Sequence, residues 1–378
     1  MKVALVHYWL VGMRGGERVL EALCELYPEA DIFTLVCDRQ ALSDTLRGHR
    51  IVTSFLQRIG GVKHYRRMLP LMPFALESFD LTGYDLVISS EAGPAKGIVP
   101  GPEALHVCYC HSPMRYIWDL YPQYQAASGA LTRLAMALAA PPLRAWDVTT
   151  AQRVDHFIAN SRYVAARIGK YYRREAQVIH PPVDVSRFGI ASAPDDYFLC
   201  AGQITPYKKV GIAVEACTRL GARLKVIGSG ADAALRRLAG PNVEFLGAVD
   251  DRQMAHHFSH CKALLFPGVE DFGIVPLEVM ASGRPVIAFA RGGATETVVD
   301  GRTGLLFHQQ SVDALAEAIG RYERDPHRFE PERLQAHARS FDTGVFKARM
   351  RAAIDAALRR HAHANSASRT PAVPAIAE

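Results

Sequence analysis

Long apolar runs are missing from this chain. No stretch reaches the roughly 18 consecutive apolar residues that a membrane-spanning helix needs. The longest candidate, from Ala130 to Pro142, is interrupted by Arg133 and ends in Pro141-Pro142. Paired cysteines are missing too. The seven (Cys24, Cys37, Cys108, Cys110, Cys200, Cys217 and Cys261) are odd in number and scattered, and Cys108-x-Cys110 has no second pair at zinc spacing. That argues against a structural metal and predicts buried thiols in a reducing cytoplasm. No G-x-G-x-x-G turn is followed by an acid about 20 residues later, which counts against a dinucleotide-dependent dehydrogenase. Asp-x-Asp does not occur at a strand end; Asp195-Asp196 and Asp250-Asp251 are adjacent pairs in loop or helix-start contexts, so no metal is expected. There is no repeat of solenoid period. The opening MKVALVHYWL carries one lysine and then His7, and reads as a first buried strand, not a signal peptide.

What the chain has is the composition of an ordinary globular protein, 49% apolar and 22% charged over 378 residues, long enough for two domains. The net charge of +6 matters less than its distribution. From Ala41 to Pro70 there are six Lys/Arg and one acid, Asp44, and the run Lys63-His64-Tyr65-Arg66-Arg67 leads straight into the apolar LPLMPFALESF. Basic residues beside apolar ones suit an anionic membrane surface; a solvated face beside a core helix fits equally well. No nucleic-acid module accompanies the charge.

The most informative stretch is Ala263 to Thr297, ALLFPGVEDFGIVPLEVMASGRPVIAFARGGATET. It reads as strand, loop, helix, strand, loop and helix start. Pro276 suits the first turn of the first helix, with Glu278 in that turn, and Gly283 suits its end. Gly292-Gly293 opens the second turn. Glu270 and Glu278 flank a place where loop and helix N–H groups converge at the carboxyl edge of a parallel sheet, which is where phosphates bind. Taken singly, Glu278 could merely complement the helix dipole and Glu270 be a solvated loop charge.

EDFGIVPLE followed by ASGRPVIAFARGGATETVVDGRTGLLF resembles the E-x7-E region of the large family of retaining glycosyltransferases with the GT-B fold (glycosyl transferase group 1, GT4). The likeness runs over nearly the whole chain. It implies two Rossmann-like α/β domains facing across a cleft, with a last helix crossing back to the first. It further implies metal-independent transfer of a sugar from a nucleotide diphosphate. In that family the loop Phe272, Gly273, Ile274, Val275 would meet the donor, Glu270 the sugar hydroxyls and Glu278 the ribose. Lys208, in GQITPYKKV, would neutralise the leaving diphosphate. Gln203 stands where many relatives carry arginine, which leaves Lys209 as a second cation. Gly228 would line the same site and Val249 would flank the base. His111, directly after the strand LHVCYC, would face the donor sugar; on pattern alone it could be a strand-end histidine bonded to nearby backbone. Gly15 and Gly16 resemble a GGxE-type loop, although Glu17 follows them without the usual spacer. Arg115 and Trp118 could line an acceptor pocket.

YCHSPMRYIWDLY, PYKKV and FPGVEDFGIVPLE are similar to bacterial mannosyltransferases of surface polysaccharide assembly. That implies GDP-mannose as donor and no further cofactor. The acceptor would be a polyprenyl-diphosphate-linked or other lipid-linked saccharide at the cytoplasmic face of the inner membrane. A UDP-sugar transferase, a GT-B epimerase and a catalytically silent sugar-nucleotide binder remain alternatives. The expected division is residues 1–185 for the acceptor side, 186–345 for the donor side, 346–361 for the crossover helix and 362–378 for a disordered tail.

Overall fold

The computed structural model describes residues 1–230 and 233–368. It separates into two compact units. Unit 1 comprises Met1–Asn160, Val164–Ile179 and the chain from Lys347; unit 2 comprises Ser161–Tyr163 and His180–Phe346. Each is built on one wholly parallel sheet.

In unit 1 the strands are β1 (Val3–His7), β2 (Asp31–Thr34), β3 (Ile51–Thr53), β4 (Leu86–Glu91), β5 (Leu105–Cys110), β6 (His156–Ala159) and β7 (Ala176–Val178), in spatial order β3-β2-β1-β4-β5-β6-β7. All residues of β1 and β5 are buried, as expected of strands covered by helices on both faces. Unit 2 carries β8 (Phe198–Ala201), β9 (Leu224–Ile227), β10 (Val243–Gly247), β11 (Leu264–Phe266), β12 (Val286–Phe289) and β13 (Gly304–Phe307), in order β10-β9-β8-β11-β12-β13. Strand order reverses between β1 and β4 in one sheet and between β8 and β11 in the other. Ligands of open α/β sheets bind at the carboxyl ends of strands at such a reversal.

Several expectations shift. β3 and β13 were not read from the sequence. Gly15 and Gly16 are the first two residues of the helix Gly15–Leu26, not part of the loop before it. The helix after β11 opens at Ile274, so Pro276 is its third residue and no acid lies in its first turn. Glu278 therefore sits too deep to serve mainly as a dipole partner, whose effect fades beyond the first turn. The helix does end as expected, with Gly283 at φ 76° just past it. Ala130–Thr150 is one continuous helix with both prolines inside it.

Val183 pairs with Asp342 in an isolated bridge, which ties the segment after His180 to unit 2. The last helix, Thr343–Ser368, outruns the 346–361 span, because HAHANSAS holds no proline or glycine to stop it. Within unit 1, Lys347 Nζ lies 2.7 Å from Glu25 and His361 bonds the Glu103 carbonyl at 3.0 Å. Of the residues read as a disordered tail, 369–378 lie outside the described residues. All seven cysteines are buried and unpaired.

Candidate functional site

The reversal in unit 2 brings together two residues that stand 62 positions apart in sequence. Beyond β8, Gly202 turns at φ 110° and the chain forms a short 3-10 turn over Pro206–Lys208. Beyond β11, Pro267 and Gly268 lead to Glu270. Lys208 Nζ lies 2.9 Å from Glu270 Oε1, and both side chains are mostly buried, at 16% and 18% exposure. The contact is an ion pair without hydrogen-bond alignment, since Glu270 Oε1 has no hydrogen-bond partner among the described residues, so the ammonium protons and the carboxylate oxygen can both turn to a ligand beside them. Glycine permits this approach: a Cβ on Gly268 would stand 2.6 Å from Lys208 Cα. A Cβ on Gly228 (φ 138°) would stand 2.0 Å from the Gly202 carbonyl oxygen, so Gly228 sets the first loop by backbone packing.

The Glu270 loop is fixed from the other side by Gly292-Gly293. The Gly293 N–H donates to the Glu270 carbonyl at 2.9 Å, and a Cβ on Gly293 would stand 2.2 Å from Phe272 Cα. Phe272 itself is buried and stacks on His180, with centroids 5.2 Å apart. It anchors the loop from beneath. Gly273, at φ 85°, starts the helix Ile274–Ala281, whose N-terminus no side chain caps. Helices leave their first N–H groups unpaired, and here Pro276 has none to offer, so the donors come from the Gly273–Val275 end. Glu278, half-buried, stands one turn further along.

The other sequence candidates in unit 2 lie further out. Gln203 and Lys209 are exposed. Lys209 spends its backbone at φ 53° on starting the helix Val210–Leu220, and it does not line the pocket that Lys208 and Glu270 share. Val249 is half-buried against the unit 2 core.

In unit 1 the β1/β4 reversal gathers His7, Ser90, His111 and the start of the helix Gly15–Leu26. Ser90 Oγ lies 2.9 Å from His111 Nε2, and Asn160 Nδ2 donates to the His111 carbonyl at 3.0 Å. Burial first, and then His7, push the His111 imidazole down to about 3 although Glu17 works the other way. Its ring is neutral at physiological pH. Glu17 is buried, with Oε1 3.9 Å from His7 Nε2 and Oε2 accepting from the Arg14 N–H at 3.1 Å. Burial would raise its carboxyl, but the His7 ring and the backbone N–H groups of Glu17 itself and Arg14 outweigh burial and hold it below the usual carboxylate range. Gly16 borders the same group: a Cβ there would stand 3.2 Å from the Tyr8 hydroxyl and 3.8 Å from His111 Nε2.

Comparison with known proteins decides the family. The family described as Glycosyltransferase Family 4 matches residues 13–187, and that described as Glycosyl transferases group 1 matches residues 195–325. The chain belongs to these glycosyltransferases. It is 29% identical over 203 residues, 44% of this chain and 53% of the relative, to the GDP-mannose-dependent alpha-(1-6)-phosphatidylinositol monomannoside mannosyltransferase of Mycolicibacterium smegmatis. It is 30% identical over 227 residues, half of each chain, to the D-inositol 3-phosphate glycosyltransferase of Streptomyces scabiei. The chain thus spans about half the length of the curated relatives it matches. Among solved structures, Anabaena HepE in complex with UDP superposes with a TM-score of 0.68 at 17% identity, over 94% of this chain and all of that one. The two-sheet fold is that of the GT-B glycosyltransferases.

Other contacts of this glycosyltransferase were not visible in the sequence. Asp147, fully buried on the helix Ala130–Thr150, forms an ion pair with the equally buried Lys96 and accepts from Trp118 Nε1 at 2.7 Å and the Tyr172 hydroxyl at 3.0 Å. Trp118 also stacks on Tyr171, so its ring is engaged in packing. Arg115 bonds Ser112 Oγ at 3.3 Å. In unit 2, Glu296 accepts from the N–H groups of Arg162 and Tyr163 and lies 3.1 Å from His180 Nε2. Burial opposes its charge, but the His180 and backbone hydrogen bonds prevail and hold the carboxyl below its usual range. A glutamate three residues past a double glycine was the available signal. Among the described residues, no helix is long and apolar enough to cross a membrane, and no cluster of His, Cys, Asp and Glu is arranged to hold a metal.

Proposed function

We propose that this glycosyltransferase moves mannose from GDP-mannose, with retention of configuration and without a metal, onto a lipid-linked saccharide at the cytoplasmic face of the inner membrane. The observation that carries the reading is the Lys208–Glu270 pair at the β8/β11 reversal, beside an uncapped helix N-terminus. Lys208 and the N–H groups at Gly273–Val275 receive the diphosphate and stabilise the charge that grows on it as the sugar bond breaks. Glu270 takes the sugar hydroxyls and Glu278 the ribose hydroxyls. His111, with its neutral ring, is a hydrogen-bond partner for the sugar. The names of the mannosyltransferase relatives support the choice of donor and of a lipid acceptor.

Calorimetry with GDP, UDP and ADP, followed by GDP-mannose turnover, tests this. Tight GDP binding, weakened by Glu278→Gln, is expected. Preference for UDP would replace the donor while keeping the class. Wild-type affinity in Glu278→Gln would remove that residue from the ribose role, and a chain that binds no nucleotide would overturn the reading.

A further inference from the structure

The first half of the helix Ala130–Thr150 is apolar yet unburied. Leu131, Leu134 and Leu138 are 83%, 58% and 70% exposed. They follow one another at spacings of three and four, so they share one helix face. A stripe of this kind costs free energy in water unless something covers it. Beside it, the helix and the segment Tyr65–Leu71 enclose a groove of about 460 Å³, floored by Ala135, Met136 and Leu143 and edged by Arg66 and Arg67. Phe74, 69% exposed, and Leu71, 41% exposed, extend the apolar surface at that segment.

Charge identifies the occupant. Residues 58–76 and 120–146, which with Tyr116 and Ile117 line the groove and its surroundings, contain Arg58, Lys63, Arg66, Arg67, Arg133 and Arg144 and no acid. The acids that flank them, Glu77, Asp119 and Asp147, are paired with Arg153, Arg167 and Lys96. Among the described residues Arg67 makes no ion pair, and Arg66 meets only the neighbouring Tyr65. A nucleic-acid partner would match the cations but not the three exposed leucines of one helix face, and a second copy of the chain would bring the same six cations face to face. A surface that is apolar within and anionic at its rim fits both.

We infer that this face of unit 1 docks on an anionic lipid bilayer, with Leu131, Leu134 and Leu138 in the acyl region, one lipid chain in the groove and its phosphate on Arg66 and Arg67. The inference rests on the proposed membrane-held acceptor, because it supplies the way the enzyme reaches one. It also moves the main contact from the Lys63–Phe79 run alone to the helix that faces it.

The test is co-sedimentation of the full chain with phosphatidylcholine vesicles, with and without phosphatidylglycerol. Binding only to the anionic vesicles, weakening with added salt, is expected. Arg66→Gln with Arg67→Gln should weaken partition by roughly 30-fold, given about a fivefold contribution from each cation near an anionic surface. Leu131→Ser, Leu134→Ser and Leu138→Ser together should abolish it, and Ala135→Trp, which fills the groove, should lower it at least tenfold. Nucleotide binding, measured on the same variants, should be unchanged; it reports on folding and separates failure of the docking surface from failure of the proposed chemistry. No binding to anionic vesicles, or full binding by the leucine triple variant, overturns the inference. Full binding by Ala135→Trp alone overturns the groove as a chain site. A wild-type dimer that becomes monomeric in the triple variant would assign the face to a second copy instead.

Discussion

Gly15-Gly16 and Gly292-Gly293 are the same dipeptide in similar settings, each following a strand and leading into a helix near a candidate ligand site. Their surroundings differ in kind. A Cβ on Gly292 or Gly293 would meet backbone, the Glu270 carbonyl oxygen at 2.5 Å and Phe272 Cα at 2.2 Å. A Cβ on Gly16 would meet only side-chain atoms, none closer than 3.2 Å. The second pair therefore fixes a loop, and the first leaves space beside His111. The charges follow the same division. The unit 2 site holds the Lys208 ammonium, which can donate to an anion, beside the Glu270 carboxylate, while the unit 1 site holds neutral His111 near the buried Glu17. One half is built to grip charge and the other to tolerate a neutral group.

Gly293→Ala should break the comparison most severely. The added methyl has backbone on its far side and cannot be relieved by rotating a side chain, so overpacking of about 3 kcal/mol is expected. All three tryptophans, Trp9, Trp118 and Trp146, lie in unit 1. The far-UV circular dichroism transition should therefore fall to lower denaturant while tryptophan fluorescence keeps its midpoint. A joint shift of both signals would show that the two units unfold as one.

The two units should also part in acid. His106 is fully buried in unit 1, hydrogen-bonded to Ser89 at 2.8 Å and the Arg153 carbonyl at 3.2 Å, and burial pushes it down to about 4. Its folded pKa lies below the unfolded one, so the unfolded chain binds the extra proton. The stabilisation is complete above about pH 6.5 and is lost as pH falls toward 4, roughly 3 kcal/mol in all. In unit 1 His111 and the half-buried His156 add in the same direction, and in unit 2 the half-buried His257 is shifted likewise. Tryptophan-detected urea melts between pH 7 and pH 5 should show the loss, and His106→Gln should flatten it.

How far the sequence foretold these sites depends on whether the physics was local. The E-x7-E stretch was legible because its glycines, proline and carboxylates act on neighbours in sequence, and the buried strands were legible as apolar runs. β3 and β13 escaped because one is three residues of which none is buried and the other starts at a glycine needed for a close approach to Val286. The continuous helix through Pro141-Pro142 escaped because prolines ordinarily end helices. The Glu17–His7 and Asp147–Lys96 pairs were invisible for another reason. Each joins residues from different elements that only the folded chain brings together, and nothing in either local pattern marks the partner.

Lys208→Ala sharpens the contrast on the chemical side. It should lower turnover on the order of a hundredfold if its ammonium meets the leaving diphosphate, without moving either unfolding transition. Loss of the lysine also leaves Glu270 without its 2.9 Å partner, so Lys208→Ala combined with Glu270→Gln separates the two roles. Recovery of nucleotide affinity but not of turnover in the double variant is the expected outcome. Equal turnover in wild type and Lys208→Ala would remove the lysine from the transition state.

Gly16→Ala should have the smallest effect on stability and is the more searching test of unit 1. The methyl would crowd the Tyr8 hydroxyl at 3.2 Å, a contact that a few tenths of an ångström relieves. Against this, alanine gains up to about 1 kcal/mol of helix propensity over glycine, so the two effects nearly cancel and the tryptophan-detected midpoint should stay put. The methyl nevertheless occupies the space between the helix start and His111, 3.8 Å from Nε2, where a substrate group beside the neutral imidazole would have to fit. Turnover should therefore fall while nucleotide binding, which rests on the Lys208 and Glu270 side, stays unchanged. If turnover also stays unchanged, Gly16 is only a tight helix start, and the space beside His111 has no part in the reaction.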